Sequence, residues 1–91
     1  MTLFTIILDY AGGTYISQVE AENVQEAFRT WLAKLRSDRI ADAVSHEVAD
    51  GFAATEPDLV PLNGLEGVWC GSALARDELA LLNLVRTSAA G

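Results

Sequence analysis

Hydrophobic residues alternate with polar ones at both ends of the chain, and a helical pattern lies between. Residues 3–10 are rich in β-branched and aromatic side chains, and Gly12-Gly13 separates them from a second alternating run over residues 14–19. This pattern predicts a β-hairpin with the two glycines in its turn. The first run carries bulky side chains on both faces and predicts a central strand, whereas the second alternates more cleanly and predicts a strand nearer an edge.

Helical periodicity begins after Asn23. Asparagine is a common N-cap, and Glu26 follows three positions later, which is the reciprocal capping pattern. The apolar side chains of this helix form one stripe that can cover the hairpin: Val24, Phe28, Trp31, Leu32 and Leu35. After a break near Ser37-Asp38, a second, shorter helix is predicted to run to about Asp50 and to end with Gly51 as its C-cap.

The second half of the chain predicts a loop and then more strands. Residues 52–64 contain two prolines and Asn63-Gly64, so a long loop is expected there, and it is a candidate binding surface. Residues 68–74 and 79–85 form two strands in one interpretation, although the chain from Ala75 to residue 87 also has good helix propensity. The second hairpin is the prediction adopted, because a lone two-stranded hairpin is marginal in water and no other segment can supply further strands.

These elements predict an α+β fold in a single domain, residues 1–91. Its centre is a four-stranded, largely antiparallel sheet in the chain order ββα-α-ββ, with the helices packed on one face. The last strand, if central, is apolar on both sides, with Leu79, Leu81 and Val85 on one face and Leu82 and Leu84 on the other. Helices on one side only would leave the second face of the sheet apolar and exposed. We therefore expect the protein to form a homodimer, or to bind another protein, through that face.

Composition adds an acidic charge and a single thiol. Thirteen acidic and six basic side chains give a net charge of −7, which repels phosphate backbones and anionic lipids. Nucleic acid is therefore not an expected partner, although Arg29, Lys34, Arg36 and Arg39 lie close together in the sequence. Cys70 is the only cysteine, and the first residues resemble neither a signal peptide nor a membrane span. We expect a cytoplasmic protein without membrane association.

Cys70 and His46 are weak candidates for a functional site. The segment Trp69-Cys70-Gly71-Ser72-Ala73 is similar to the Trp-Cys-Gly-x-Cys turn of thioredoxins, but alanine replaces the resolving cysteine and the run is strand-like, which favours a buried, unreactive thiol. His46 lies four residues from both Asp42 and Asp50, and this helical face is expected to point to water. Cys70 and His46 could in principle act as a nucleophile and its base. The only support for this pairing is that each is the sole residue of its type in the sequence.

Asp9 and Tyr10 are further weak candidates, because they precede the predicted turn at a sheet end where ligands often bind. The ordinary interpretation assigns turn chemistry to Asp9 and aromatic packing to Tyr10. The sequence contains no phosphate loop, nucleophile elbow, HExxH motif or calcium loop, and it implies no cofactor. It favours a non-enzymatic interaction module, with a small-molecule-binding protein or a thiol enzyme centred on Cys70 as the alternative.

Two resemblances rest on these residues. Residues 4–35, with Glu26-Ala27-Phe28 at the start of the helix, resemble the strand-strand-helix opening of HicB-type antitoxins, which implies a protein that neutralises a partner. The family's Pro-Asp-x-Pro-Gly-type turn and a DNA-binding motif are missing from the sequence. Residues 12–18, 68–70 and 79–87 are similar to small bacterial proteins of unassigned function, which implies the ββα…ββ layout and no particular activity.

Overall fold

The computed structural model describes residues 1–55 and 58–88. The strands are Thr2–Tyr10 (β1), Gly13–Ala21 (β2), Val60–Pro61 (β3), Val68–Ala75 (β4) and Glu78–Ser88 (β5). The helices are Val24–Ser37 (α1) and Ser45–Thr55 (α2), with a short 3-10 helix, Asp42–Val44, before α2. The predicted α+β class is confirmed. None of the described helices is long and apolar enough to cross a membrane.

The strands form one antiparallel sheet in the order β2-β1-β5-β4-β3. β1 lies between β2 and β5, which confirms the predicted central position of the first strand and edge position of the second. β5 lies between β1 and β4, so the last third of the chain is a hairpin and not a helix. Its central position explains why β5 is apolar on both faces.

The predicted number of four strands was wrong by one. Val60 lies opposite Cys70 and Pro61 opposite Trp69, so a two-residue strand flanks β4 within the predicted loop. Two residues are too few to show alternation, and proline has no N–H for a sheet ladder. The strand forms because it lies at the edge of the sheet, where a missing donor can face away from the neighbouring strand.

Both hairpins turn through two residues with positive φ. The values are 50° for Ala11 and 81° for Gly12, and 52° for Arg76 and 64° for Asp77. Such pairs define type I′ turns, whose twist matches that of the flanking strands. The first turn therefore contains only one of the two glycines, because Gly13 begins β2 opposite Tyr10.

The core lies between the two helices and one face of the sheet. β1 and β5 form the sheet side of the core. Their buried residues are Phe4, Ile6, Leu8, Tyr10, Ala80, Leu82 and Leu84. Trp31 of α1 and Phe52 of α2 pack edge to face with ring centroids 5.4 Å apart. Aromatic pairs of this geometry add to the stabilisation from their buried area. These two rings join both helices above the sheet.

The start of α1 confirms Asn23 as the N-cap, whereas the reciprocal bond of Glu26 goes to the N–H one residue before the cap. The Asn23 side-chain oxygen accepts a hydrogen bond from the Glu26 N–H at 2.9 Å. The Glu26 carboxylate accepts one from the Glu22 N–H at 3.4 Å. The predicted apolar stripe also faces the core, with Trp31 and Leu35 fully buried.

The predicted end of the second helix was wrong. α2 continues to Thr55, and Phe52, assigned to the loop, is fully buried. Gly51 lies inside the helix, where a Cβ atom would be only 2.5 Å from the Leu74 carbonyl oxygen. This glycine therefore serves the close approach of α2 to β4 and not a helix end. Of the predicted loop, residues 56 and 57 lie outside the described residues.

Replacing Gly51 with alanine is expected to lower the free energy of unfolding, although alanine is the better helix former. The added methyl group would overlap the Leu74 carbonyl, and overpacking costs about 1–3 kcal/mol. Urea denaturation measures the change. Ala33→Gly, at an exposed position of α1, is the control, and it should lose about 1 kcal/mol through helix propensity alone. A Gly51→Ala variant more stable than the wild type would contradict the close contact.

Candidate functional site

The helices cover one face of the sheet and leave the other uncovered. Successive strand residues point to opposite faces. Leu82 and Leu84 of β5 are therefore buried beneath the helices, whereas Leu79 and Leu81 on the opposite side are 55% and 44% exposed. We call this uncovered side the open face. Its larger apolar residues are Leu3, Ile7, Ile16, Val60, Val68, Leu74, Leu79, Leu81 and Val85.

The exposed apolar residues of the open face lie in two groups, which Asn83 opposite Ile7 and Asp9 opposite Leu81 separate. Ile7 of β1 lies opposite Ile16 of β2, and Leu74 of β4 lies opposite Leu79 of β5. Ile16 and Leu74 are 67% and 60% exposed. Single exposed apolar residues are common on protein surfaces, whereas several of them on one face favour an interaction site. The open face is therefore the leading candidate for a functional surface.

Charge is scarce on the open face. Its charged side chains within the described strands are Asp9 and Glu20, at opposite ends of the β1-β2 hairpin. Asp9 also accepts a hydrogen bond from the Thr14 hydroxyl at 2.6 Å. Most of the net charge of −7 therefore lies elsewhere, and covering this face would desolvate few charged groups.

A concave site of about 590 Å³ opens at the β3 end of this face. The strands contribute Val60, Cys70, Gly71, Ser72, Leu81, Leu82 and Asn83 to its lining, and the neighbouring segments contribute Thr55, Asp58 and Leu62. Thiol, hydroxyl, amide and carboxylate groups thus meet an apolar surface, which is the composition of many ligand sites. Within residues 1–55 and 58–88, no side-chain polar atom is buried without a partner.

Cys70 and His46 are separated by the sheet. Cys70 is half-buried and lines the concave site on the open face. His46 is exposed on α2, which packs against the opposite face. Because His46 is the only histidine, no imidazole lies beside the thiol. Cys70 is less buried than its apolar neighbours predicted, because nothing in the described structure covers the open face.

The stripe of Asp42, His46 and Asp50 is exposed, as its position opposite the apolar residues predicted. The Asp50 carboxylate lies 2.9 Å from the Arg36 guanidinium, and this ion pair joins α2 to α1. No group of three or more histidine, cysteine, aspartate or glutamate side chains that could hold a metal ion is found in the described part of the chain.

Tyr10 is a core residue. Its hydroxyl donates a hydrogen bond to the Ala75 carbonyl oxygen at 2.7 Å and so ties β1 to the end of β4. Burial raises the pKa of Tyr10, and the nearby carboxylates of Glu47 and Glu78 raise it further, against the opposing effect of Arg76. These contacts give Tyr10 a packing role, and the bond from Thr14 gives Asp9 a place in the structure of the first hairpin.

Ser72, Asn83 and Asp58 are lining residues that the sequence did not single out. Asn83 carries a local signal, because it is the polar residue within the otherwise apolar run 79–85. Its position beside Cys70 depends on the register of β4 against β5. Register is a property of the assembled sheet, so the grouping of these side chains is visible only in the structure.

Comparisons with family models, with curated proteins and with solved structures give no match. The likeness to HicB-type antitoxins and to small bacterial proteins therefore stays a prediction. Function has to be inferred from the geometry of the open face and the concave site.

Folding should depend on pH through Tyr10. Because the folded state raises the pKa of this hydroxyl, the unfolded chain loses the proton first as pH rises. The stabilisation is complete below the ordinary tyrosine pKa of about 10 and is lost as pH rises through the higher pKa of the folded state. Urea denaturation between about pH 8 and 11 should show this decline in the wild type.

In Tyr10→Phe, the free energy of unfolding should lack the part of its decline at high pH that titration of Tyr10 causes. The variant should also be less stable at neutral pH by about 1 kcal/mol, because the buried hydrogen bond to Ala75 is lost. Tyr15→Phe is the control and should keep the decline, since it leaves Tyr10 in place. An identical pH profile for wild type and Tyr10→Phe would show that another group causes the decline.

Proposed function

We propose that this protein is a protein-interaction module that forms a homodimer by packing its open face against that of a second copy. The observation that supports this function is the exposed apolar surface of the open face, which includes Ile16, Leu74, Leu79 and Leu81. Sheets pack face to face about 10 Å apart, with side chains of the two faces interdigitating. Association would remove from water the apolar side chains that the helices leave uncovered.

The distribution of charge favours a second copy as the partner. Two chains of net charge −7 repel each other, so a contact between them is most favourable where each carries the fewest carboxylates. Within the described strands of the open face these are Asp9, which lies opposite Leu81, and Glu20 on the edge strand β2. A two-fold contact centred on β4, two strands away from β1, would keep the like charges apart.

A different protein is the other partner considered within this proposal. The acidic surface outside the open face suits a basic partner, as in an antitoxin-like or immunity-like inhibitor. Nucleic acid is not proposed, and two of the four clustered basic residues are already paired, Lys34 with Asp38 and Arg36 with Asp50. We also propose a cytoplasmic location, because the sole cysteine is a free thiol that a reducing compartment would preserve.

Leu81→Lys should reduce the oligomeric state. We expect light scattering after size exclusion, at several hundred micromolar, to give a wild-type mass at least twice that of the 9.8 kDa chain. The mass should halve in Leu81→Lys, because a charge would have to be buried in the interface. Gln25→Lys makes the same charge change at an exposed position of α1 and should keep the wild-type mass. A monomeric wild type, or equal masses for wild type and Leu81→Lys, would contradict the homodimer.

Small-molecule binding at the concave site is the second candidate function, favoured by the meeting of Cys70, Ser72 and Asn83 in one concavity. A thiol enzyme is the less favoured form of this candidate. Its nucleophile would need activation by a neighbouring base or cation, and His46 lies beyond the sheet. A bound molecule would instead contact the hydroxyl and amide groups of the lining.

Alkylation of Cys70 with iodoacetamide tests both candidate functions, the homodimer and the thiol enzyme. Because Cys70 lies on the open face, we expect the labelling rate, followed by mass spectrometry at neutral pH, to fall as the protein concentration rises and the dimer covers the thiol. In Leu81→Lys the rate should be independent of concentration. A rate independent of concentration in the wild type would contradict packing through this face, and complete absence of reaction would exclude a thiol enzyme.

A further inference from the structure

The outer edge of β4 is covered along much of its length. β3 pairs with Trp69 and Cys70, and the Leu62 N–H donates to the Val68 carbonyl at 3.0 Å. Further along the strand, α2 packs against the Leu74 carbonyl at Gly51. A short strand with a proline and a covering helix are common protections of a sheet edge. This edge is therefore a poor template for another strand.

The opposite edge is β2, which has a regular backbone and no cover in the described structure. Its nine residues, Gly13–Ala21, pair with β1 through nine consecutive positions without a register shift. Gly13 and Tyr10 flank a two-residue turn, so they form a hydrogen-bonded pair, and bonding alternates from there. The N–H and C=O groups of every second residue, Thr14, Ile16, Gln18 and Glu20, consequently point away from β1.

These outward groups are free within the described residues. No turn, loop or side chain of residues 1–55 and 58–88 forms a hydrogen bond with them, and the side chains of Thr14 and Gln18 bond instead to Asp9 and Thr5. β2 also lacks proline, lysine and arginine, and its one charged residue, Glu20, lies next to its last position. The usual protections of an exposed edge are therefore missing from β2.

We propose that two copies of the protein pair their β2 strands antiparallel and join their sheets edge to edge. Full overlap of nine residues centres the pair on Ser17, which then lies opposite the partner's Ser17. Four outward residues on each of two strands supply eight N–H donors, so the ladder contains eight hydrogen bonds.

Side-chain pairing in this register is favourable. Ile16 lies opposite the partner's Gln18, and Glu20 lies opposite the partner's Thr14, so no like charges face each other. The pairing therefore brings two acidic chains together without opposing carboxylates. A second copy is the partner to which this edge is best suited, because nine residues of matching length and sequence are available in every molecule.

This interface is separate from the contact in the proposed function. The two-fold axis of an edge pair stands perpendicular to the sheet, whereas that of a face pair lies between two sheets and parallel to them. Where both contacts form and the axes meet, four copies close into one assembly. Because the edge pair and the face pair involve different surfaces, a substitution can remove one contact and leave the other in place.

Light scattering after size exclusion of four chains at several hundred micromolar tests the edge pair. We expect a tetramer for the wild type, a face-paired dimer for Gln18→Pro, an edge-paired dimer for Leu81→Lys and a monomer for the double variant. Proline at position 18 removes an outward N–H and leaves the β1-β2 ladder intact. Gln18→Ala is the matched control, because it loses the same side chain, keeps the N–H and should remain tetrameric.

The outcomes separate the two proposals. A monomeric Leu81→Lys variant would overturn the edge pair while leaving the face contact in place. A monomeric Gln18→Pro variant together with a dimeric Leu81→Lys variant would overturn the face contact alone. A monomeric wild type would overturn both.

Amide hydrogen exchange of the wild type keeps the edge pair testable even if Gln18→Pro does not fold. The amides of Thr14, Ile16, Gln18 and Glu20 should exchange several-fold more slowly at high than at low protein concentration. The amides of Tyr15, Ser17 and Val19 face β1 and should be protected at both concentrations. Outward amides that exchange at the same rate at all concentrations would overturn the pairing.

Discussion

The pairing of the first strand with the last is the contact on which the rest of the fold depends. β1 and β5 pair from Tyr10 opposite Ala80 to Leu3 opposite Ser88. β2 and β4 are then each attached to one side of this central pair. Closing a contact between the two ends of the chain costs conformational entropy, and the buried surface that the pair creates offsets it.

The same central pair determines where apolar surface remains uncovered. Ile6, Leu8, Leu82 and Leu84 lie on one face and are buried beneath the two helices. The chain has no further described helix for the opposite face, yet the central strands remain apolar there as well. The open face therefore follows from placing two doubly paired strands in a sheet that is covered on one side only.

Partner binding and ligand binding would involve the same surface. Cys70, Ser72 and Leu81 lie on the open face and also line the concave site. A second copy packed on the open face would cover a molecule in the concavity or exclude it. Ion pairs such as Arg36 with Asp50 and Arg76 with Glu47 lie outside this surface and, being solvent-exposed, contribute little stability.

Local patterns were sufficient to predict most of the elements. Alternation over residues 3–19 indicated the first hairpin, and Asn23 with Glu26 marked the start of α1, because these signals arise among neighbouring residues. Alternation also assigned Leu79 and Leu81 to the face opposite Leu82 and Leu84, but which of the two faces the helices cover is visible only in the structure. Of the weak candidates, Asp9 accepts a hydrogen bond within the first hairpin and Tyr10 packs in the core.

The sequence by itself determined most of the strands and helices and which of their residues share a face, since both depend on the short periods of the backbone. Only the tertiary structure decided the strand order, the two-residue β3, the neighbours of Cys70 and the separation of Cys70 from His46. It also changed the role of Gly51, whose close contact is with Leu74, more than twenty positions away. These features depend on register and packing between distant segments, which no local pattern contains.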